Sequence, residues 1–501
     1  MAEEAAMTRK FVLALDQGTT SSRAIVFDDE AGIVAQAQRP IEVTFPQPGW
    51  VEVDAEAIWR ITEQVGLEAI SRAGLVPDQI AAIGITNQRE TTIVWDRATG
   101  DPVAPAIVWQ SRQTAALVRQ LEQRGLGELV STTTGLVLDP YFSATKIRWI
   151  LDDGDGLQAR AENGELCFGT IDSWLIWKLS GGRHLTDITN ASRTMLFDIR
   201  RCEWAEQLLD DMRIPRAMLP EVVGNSGEIG EAIKGFAGAP IMGSAGDQHA
   251  ALFGQACFAT GMAKNTYGTG SFALANIGDS PIKSNHGLLT TIAWKLGDQV
   301  IYAAEGSILV SGSAVQWLRD GLRIIDSSSD VEGLARSVAD SGDVVFVPAL
   351  TGLGAPDWDS SARGLIIGLT RGASRAHVAR ATLEAIAFQV ADVLDAMQRD
   401  SGIELPELRV DGGASVNDLL LQMQADLLGV PVVRSAVGET TALGAAYLAG
   451  LGAGIWTDEA EISDQWRSNG TFEPSISVDE RDSRRCRWRN AVERSRGWAD
   501  N

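Results

Sequence analysis

The sequence predicts an α/β fold, because strand-like, turn-like and helix-like segments alternate along its 501 residues. Two glycine–hydroxyl turns, DQGTTSSR (16–23) and YGTGSF (267–272), each join two apolar strands and lie about half a chain apart. That similarity indicates two related halves. The length suits at least two domains at roughly 100–200 residues each. We place the boundary near residue 255, which gives domains 1–255 and 256–501.

Three pairs of short apolar runs, each joined by a tight turn, predict three hairpins along the chain. The runs are 11–15 with 24–28, 81–86 with 91–96, and 264–267 with 271–276. The first and third enclose the two glycine–hydroxyl turns, and the second encloses NQRE. Polar groups at all three turns are therefore candidates for a functional site.

Three segments predict helices of different character. Residues 379–397 place Leu383, Ile386 and Val390 on one apolar face, as an amphipathic helix does. Residues 441–454 are rich in Gly and Ala, so this helix can pack closely against a neighbour. The charged segment 479–501 predicts a solvated terminal helix.

Composition and charge exclude several classes of function. The net charge of −23 disfavours binding to nucleic acid or to anionic membranes. Adaptation to a salty cell and ordinary solubility both remain open as reasons for this acidity. The start, MAEEAAMTRK, lacks the apolar region of a signal peptide, and the four cysteines have no metal or redox spacing. We therefore expect a cytoplasmic protein without disulfides.

The first glycine–hydroxyl turn carries groups that suit a bound phosphate. Thr19, Thr20 and Ser21 offer N–H and O–H donors, and Arg23 adds positive charge. The Asp16 carboxylate cannot donate to phosphate when ionised, but it can hold magnesium, which prefers one or two carboxylates together with phosphates. An ordinary β-turn is the alternative interpretation, because such residues are common in turns.

A third element, RVDGGASVNDLLL (409–421), predicts a strand, an Asp-Gly-Gly turn and a helix whose N-terminus favours negative charge. The sequence contains neither a G-x-x-x-x-G-K-[ST] motif nor a G-x-G-x-x-G motif. Two hydroxyl turns and a glycine pair, spread in this way, resemble the nucleotide cleft of the sugar-kinase, actin and chaperone ATPase superfamily. That resemblance implies two ribonuclease-H-like domains with an ATP cleft between them.

Candidate acceptor-side residues lie in two segments. GSAGDQHAALFG (243–254) places Asp247 after small residues, where a carboxylate can act as a general base or cap the following helix. ITNQRETTIVWD (85–96) places Arg89 beside Glu90. The pair can bind a neutral polyol, since arginine donates hydrogen bonds and glutamate accepts them, or it can form a surface ion pair.

The resemblance becomes specific when these motifs are taken together and in order. DQGTTSSR, IGITNQRETTIVWD, TDITNASRTMLF, GDQHAALFGQ, MAKNTYGTGSF and LRVDGGA span nearly the whole chain. They resemble the FGGY carbohydrate kinase family, whose two signature patterns fit residues 141–149 and 363–384. Within that family, NQRETTIVWD is similar to the members that phosphorylate glycerol. The resemblance therefore implies ATP-dependent phosphorylation of glycerol, with magnesium.

The resemblance also implies roles for individual residues on the acceptor side, with Asp247 as the catalytic base. Hydrogen bonds to glycerol are implied for Arg89, Glu90, Tyr141, Asp247 and Gln248. Trp109 and Phe272 are implied to pack against its carbon backbone.

On the nucleotide side, the resemblance implies that the first phosphate loop contains Thr19, Thr20, Ser21 and Arg23, and that the second contains Thr269. It implies that adenosine is bound by Gly312, Gln316, Gly413 and Asn417. Asp16 matches the carboxylate near magnesium.

The family further implies a homodimer or homotetramer. The loop at which some members bind fructose 1,6-bisphosphate contains an arginine, but IKGFAGAPI (233–241) contains only Lys234 as a cation. Residues 220–240 also lack the histidine that is phosphorylated in other members. We therefore expect neither form of control. Two other functions stay open, namely an FGGY kinase for another polyol or sugar, and a non-catalytic ATP-binding scaffold.

Overall fold

The computed structural model describes residues 10–500. Residues 1–9, on which the expectation of no signal peptide rests, lie outside the described part of the chain. The strands are β1 (Phe11–Gln17), β2 (Ser21–Phe27), β3 (Ile33–Pro40), β4 (Val43–Thr44), β5 (Glu52–Val53), β6 (Ile80–Asn87), β7 (Ile93–Asp96), β8 (Ala106–Ile107), β9 (Leu166–Gly169), β10 (Leu185–Asp187), β11 (Phe197–Asp198), β12 (Glu203–Trp204), β13 (Glu221–Val223), β14 (Ser226–Glu231), β15 (Pro240–Gly246), β16 (Ala263–Tyr267), β17 (Ser271–Gly278), β18 (Leu289–Leu296), β19 (Gln299–Ile308), β20 (Val345–Val347), β21 (Leu365–Ile367), β22 (Leu408–Asp411), β23 (Val432–Ser435) and β24 (Ser468–Phe472).

Helices alternate with these strands, as the α/β prediction requires. They are α1 (Ala55–Arg72), α2 (Ala115–Gln123), α3 (Gly127–Thr134), α4 (Ser143–Asp153), α5 (Leu157–Glu162), α6 (Ile171–Ser180), α7 (Ile188–Ala191), α8 (Glu206–Met212), α9 (Asp247–Gly254), α10 (Gly312–Asp320), α11 (Asp330–Arg336), α12 (Arg375–Ser401), α13 (Asp418–Leu428), α14 (Thr440–Gly452), α15 (Glu459–Gln465) and α16 (Val478–Ser495).

Two mixed β-sheets organise the chain. The first sheet has the order β14-β15-β6-β1-β2-β3, and the second has the order β18-β19-β17-β16-β22-β23-β24. In the first, β1, β2 and β3 form an antiparallel meander. β6 pairs with β1 and β15 pairs with β6, both in parallel. β14 pairs with β15 in the antiparallel direction and forms the edge. In the second, β16, β17 and β19 repeat the meander, β22 and β23 repeat the parallel pair, and β24 repeats the edge. The shared path confirms that the halves are related, while the boundary near residue 255 stays a prediction.

The first and third predicted hairpins are confirmed, but the second is wrong. β1 pairs with β2 and β16 pairs with β17, each antiparallel. β6 instead has β1 and β15 as parallel neighbours, so both of its edges are occupied. After the NQRE turn the chain leaves the first sheet, and β7 pairs with β9.

The small-residue helix α14 packs against the first sheet, although it follows β23 of the second sheet in the chain. It contacts β1, β6 and β15 and crosses α9. A Cβ atom built on Gly444 would lie 1.8 Å from the carbonyl oxygen of Ala250 on α9, and one on Gly254 would lie 2.0 Å from that of Thr440. The predicted close packing is confirmed, and it brings the two halves into direct contact.

The prediction of a solvated terminal helix is correct for only one face of α16, because its other face is buried. Its Trp488 is buried and stacks on Phe388 of α12, with ring centroids 5.2 Å apart. Arg485 of α16 forms an ion pair with Asp395 of α12. The predicted amphipathic helix at 379–397 is confirmed, and it forms the middle of α12.

No helix in the part of the chain that the structure describes is long and apolar enough to span a membrane. The four cysteines are free.

The crossing of α9 and α14 generates a prediction about stability. Gly444→Ala places a methyl group where the Ala250 carbonyl already lies. We expect it to lower the free energy of unfolding by about 1–3 kcal/mol, the usual effect of overpacking. Chemical denaturation measures this change. Gly333→Ala in α11 is the control, because a Cβ there meets no atom within 4 Å. An equally stable Gly444→Ala protein would contradict the packing account.

Candidate active site

The candidate site lies where the parallel strands of the first sheet end. Asp16 on β1 is in register with Thr86 on β6, and Thr86 is in register with Ala245 on β15. Because the carboxyl ends of parallel strands meet at one edge of a sheet, the residues that follow them come together. Asp16, the turn after β6 with Arg89, and Asp247 after β15 therefore share one edge.

Asp247 is the first residue of α9, one position after the N-cap Gly246, so its predicted capping position is wrong by one residue. Its Oδ1 accepts the N–H of Gln248 at 2.7 Å and lies 3.3 Å from Nε of Arg89. The side chain is 28% exposed, so it is open to a ligand. Burial raises the pKa of Asp247, while Arg89 and Lys264 act in the opposite direction.

Asp16 faces its cross-strand partner Arg23 on β2. Burial raises the pKa of Asp16 to about 6, because the nearby Asp247 adds to the effect and Arg23 offsets only part of it. In residues 10–500 no group of three or more His, Cys, Asp or Glu side chains could enclose a metal ion. Magnesium bound with a nucleotide does not need such a cage, since one or two carboxylates, phosphates and water suffice.

Arg89 and Glu90 lie in a buried turn, so their interpretation as a surface ion pair is wrong. Their side chains are 2% and 1% exposed. Glu90 has φ of 63°, in the left-handed region. Its carbonyl oxygen accepts the hydroxyls of Thr92 and Ser143, each at 3.1 Å. These two contacts hold the left-handed backbone at Glu90. That backbone directs the successive side chains of Arg89 and Glu90 into the same buried region.

Four buried side chains form what we call the charge cluster: Arg89, Glu90, Arg193 and Glu305. Arg89 donates to both carboxylate oxygens of Glu305, at 2.6 and 2.9 Å. Arg193 donates to Glu90 at 2.7 Å and to Glu305 at 3.1 Å. Glu305 lies on β19 of the second sheet. The charge cluster therefore joins the two halves.

The two carboxylates of the charge cluster differ in their electrostatics. Burial alone would raise the pKa of Glu305, but Arg193 and Arg89 outweigh it and lower that pKa. Burial raises the pKa of Glu90, even though both arginines oppose it. Both oxygens of Glu305 are occupied by arginine, whereas Glu90 accepts from Arg193 through Oε1 alone among residues 10–500. Glu90 therefore keeps one oxygen available to a ligand hydroxyl.

An aromatic wall stands beside the charge cluster. The Trp109 ring meets Tyr141 and Phe272 edge to face, with centroids 5.6 and 6.3 Å apart. The Tyr141 hydroxyl lies 3.5 Å from Nη2 of Arg89. Trp109 Nε1 donates to the hydroxyl of Thr19 at 2.9 Å, which ties this wall to the first glycine–hydroxyl turn.

The first glycine–hydroxyl turn is closed by Gly18, whose N–H donates to the carbonyl of Ser21 at 2.9 Å. Thr20 at its tip is exposed. The guanidinium of Arg23 pairs with Glu439, the residue that precedes α14. The Nε of Arg23 has no hydrogen-bond partner among the described residues. Arg23 thus connects this turn to the second half and retains one unused donor.

The second glycine–hydroxyl turn meets the start of α10. The carbonyl of Thr269 accepts the N–H groups of Ser311 and Ser313, each at 3.0 Å. A Cβ on Gly312 would lie 2.6 Å from the carbonyl of Gly268, so only glycine fits this approach. Gln316, one turn further along α10, is exposed. The two segments together form an open surface beside the cleft.

One residue of the predicted adenosine site, Asn417, also has a structural role. Asn417 caps α13, and its Oδ1 accepts the N–H of Leu420 at 2.9 Å. Its amide nitrogen alone remains for a ligand. A Cβ on Gly413 would meet no atom within 4 Å, so its exposed backbone borders free space.

Sequence reasoning missed Arg193, Glu305 and Lys264. Glu305 is a lone charge in the apolar run VIYAAEGSILV (300–310), and that isolation is the signal that could have identified it. Arg193 lies in TDITNASRTMLF, a motif that carries the family resemblance but by itself implies no role for the arginine. Lys264 is fully buried on β16 beside Gln248.

Two models of the FGGY family of carbohydrate kinases match this chain. The N-terminal domain model matches residues 11–254, and the C-terminal domain model matches residues 263–453.

Curated relatives match over nearly the full length. "Glycerol kinase 2" of Thermotoga maritima is 56% identical over 98% of this chain and 99% of that protein. "Glycerol kinase" of Dechloromonas aromatica is 58% identical over 98% of each. The crystal structure of Plasmodium falciparum glycerol kinase with ADP is 37% identical, covers 97% of this chain and 98% of its own, and superposes with a TM-score of 0.91. Gluconate kinase from Lactobacillus acidophilus, 21% identical with a TM-score of 0.86 over 97% of each chain, shares the fold.

Matching domain models over both halves, relatives of this identity and the common two-sheet architecture lead to one conclusion: the chain belongs to the FGGY family of carbohydrate kinases.

Proposed function

We propose that this chain transfers the terminal phosphoryl group of ATP to glycerol, which gives sn-glycerol 3-phosphate and ADP. The observation that carries the proposal is the partly exposed Asp247 carboxylate beside the buried charge cluster, at the edge shared with the first glycine–hydroxyl turn. The relatives that bear the name glycerol kinase support the choice of substrate.

The acceptor pocket suits a small neutral triol. Arg89, Gln248 and Tyr141 offer donors, and the free oxygen of Glu90 offers an acceptor. Trp109 and Phe272 cover the carbon chain and exclude water, which is a competing phosphoryl acceptor. A pocket of this kind rejects a ligand that leaves its buried polar groups unpaired.

In the proposed chemistry, Asp247 accepts the proton of the attacking glycerol hydroxyl. The hydroxyl oxygen forms a bond to the terminal phosphorus of ATP as the bond from that phosphorus to the bridging oxygen breaks, and ADP leaves. The raised pKa of Asp247 makes it a stronger base than an ordinary aspartate. The contact between Oδ1 of Asp247 and Nε of Arg89 keeps the carboxylate oriented toward the pocket.

Phosphate groups are assigned to the two glycine–hydroxyl turns, with Thr19, Thr20, Ser21 and Arg23 on one side and Thr269 on the other. We assign adenosine to the surface formed by Gly312, Gln316, Gly413 and Asn417. Asp16 would hold Mg²⁺ with the phosphates, and the ion would offset phosphate charge when bound.

Domain closure, cellular location and assembly belong to the same proposal. Domains 1–255 and 256–501 would close over the two substrates. The protein would work in the cytoplasm as a homodimer or homotetramer.

The decisive experiment is a coupled assay for ADP release with glycerol, dihydroxyacetone, xylulose and no acceptor. We expect glycerol to give the highest kcat/KM. Equal ADP release without any acceptor would favour a nucleotide-binding scaffold, and a higher value for xylulose would reassign the substrate.

We expect Asp247→Asn to lower kcat by roughly 10²–10⁴, because this factor is typical of general-base catalysis. The KM for ATP should change little, since Asp247 lies on the acceptor side. The coupled assay measures both constants. Asp298→Asn, at an exposed turn, is the control. A near-normal kcat for Asp247→Asn would remove it from the role of base.

Arg89→Lys keeps the positive charge but loses the two-pronged contact with Glu305. We expect the KM for glycerol to rise about tenfold or more, because hydrogen bonds to charged groups contribute about 1.5–3 kcal/mol. Isothermal calorimetry with glycerol checks the change, and Arg119→Lys, at an exposed position of α2, is the matched control. An unchanged glycerol affinity would contradict the pocket assignment.

The acid side of the pH profile should report the carboxylates at the sheet edge. Asp16 has a pKa of about 6, so it is protonated below that pH and ionised above it. Because the ionised form is the one that would hold magnesium, kcat/KM for Mg·ATP should rise with pH through about 6 and then level off. The raised pKa of Asp247 acts in the same direction. A profile that stays level down to pH 5 would refute this assignment.

A further inference from the structure

Lys264 is a fully buried cation for which the proposed chemistry has no role. It lies on β16, and its Nζ donates to Oε1 of Gln248, to the hydroxyl of Thr266 at 2.9 Å and to the carbonyl of Phe272 at 3.3 Å. A buried ammonium group is costly unless it is hydrogen-bonded, so the three acceptors around Lys264 indicate the role of this residue. Two of the three, Gln248 and Phe272, are acceptor-pocket residues.

We infer that Lys264 is a positioning residue that fixes the carboxamide of Gln248, so that its N–H₂ group, and not its oxygen, is presented to the acceptor substrate. An ammonium group has three donors and no acceptor. It can therefore engage only the oxygen of a neighbouring amide. With Oε1 bound to Lys264, the hydrogens on Nε2 are the groups of Gln248 that remain without a partner for a ligand.

The surroundings of Gln248 support this assignment. Its side chain is 6% exposed, so the amide has little water to compensate a wrong orientation. Within residues 10–500, Nε2 of Gln248 donates to no protein acceptor. The unused donor is therefore left for a substrate oxygen.

The charges around Lys264 agree with a cation that stays in place. Burial lowers the pKa of Lys264 to about 8, while Asp411 and Asp247 act to raise it. The ammonium form therefore dominates at neutral pH. Lys264 belongs to the second sheet and Gln248 to α9, so this contact is a further link, beside the charge cluster and the Trp109–Phe272 contact, between the second half and the acceptor pocket.

This inference rests on the proposed function, and a double-mutant cycle separates the two. The full-length variants are Lys264→Met, Gln248→Met and the double variant, assayed for kcat and for KM with glycerol. Methionine keeps the approximate length of each side chain and removes its hydrogen bonds. Thr266→Val is the matched control, because it removes another partner of the same ammonium and leaves Gln248 in place.

We expect Lys264→Met to raise the KM for glycerol about tenfold or more, the effect of a lost hydrogen bond to a charged group. The value of kcat should change much less. Since Lys264 acts through Gln248, the double variant should match Gln248→Met within about twofold, the usual scatter of such cycles. Thr266→Val should have a smaller effect than Lys264→Met.

Three results would count against these claims in different ways. An additive cycle, or a fall in kcat alone, would show that Lys264 acts on the phosphoryl group or on Asp247 and would overturn the inference. A wild-type protein with no glycerol-dependent ADP release would instead overturn the proposed function. If Lys264→Met does not fold, Lys264→Leu, which likewise removes the donor to Oε1 of Gln248, takes its place in the same cycle.

Discussion

The rest of the site depends on the buried charge cluster. Removing four charges from water is costly unless each finds partners of opposite sign. Here Glu305 receives donors from both arginines, and Glu90 receives one from Arg193. Glu305 comes from the second sheet, while the other three members come from the first half. The acceptor pocket is therefore complete only when the two halves are packed together, and its geometry is as rigid as that packing.

The two sides of the site are built differently. Acceptor-side groups such as Arg89 and Gln248 are almost fully buried, while Thr20, Thr269 and Gln316 on the nucleotide side are exposed. A small polyol needs many directed contacts within a closed volume, whereas a nucleotide brings its own charge and can be held from an open cleft. The hydrogen bond from Trp109 to Thr19 connects the closed side to the open side.

The sequence was sufficient for the fold class and for two of the three hairpins, because these depend on neighbours in the chain. It was insufficient where distant segments decide the outcome. The NQRE turn does not form a hairpin, since β1 and β15 already occupy both edges of β6. Glu305 lies 216 residues from Arg89, and no local sequence pattern predicts the contact between these two residues. Burial of one face of α16 likewise depends on α12.

The position of α14 has a consequence for how the chain folds during synthesis. The face of the first sheet that contains Val12, Ala82 and Ala245 is covered by α14, which begins only at Thr440. While a ribosome is still making the second half, that apolar face lacks α14, although its strands are already complete. The first half therefore cannot complete this part of its core until almost the whole chain has been synthesised.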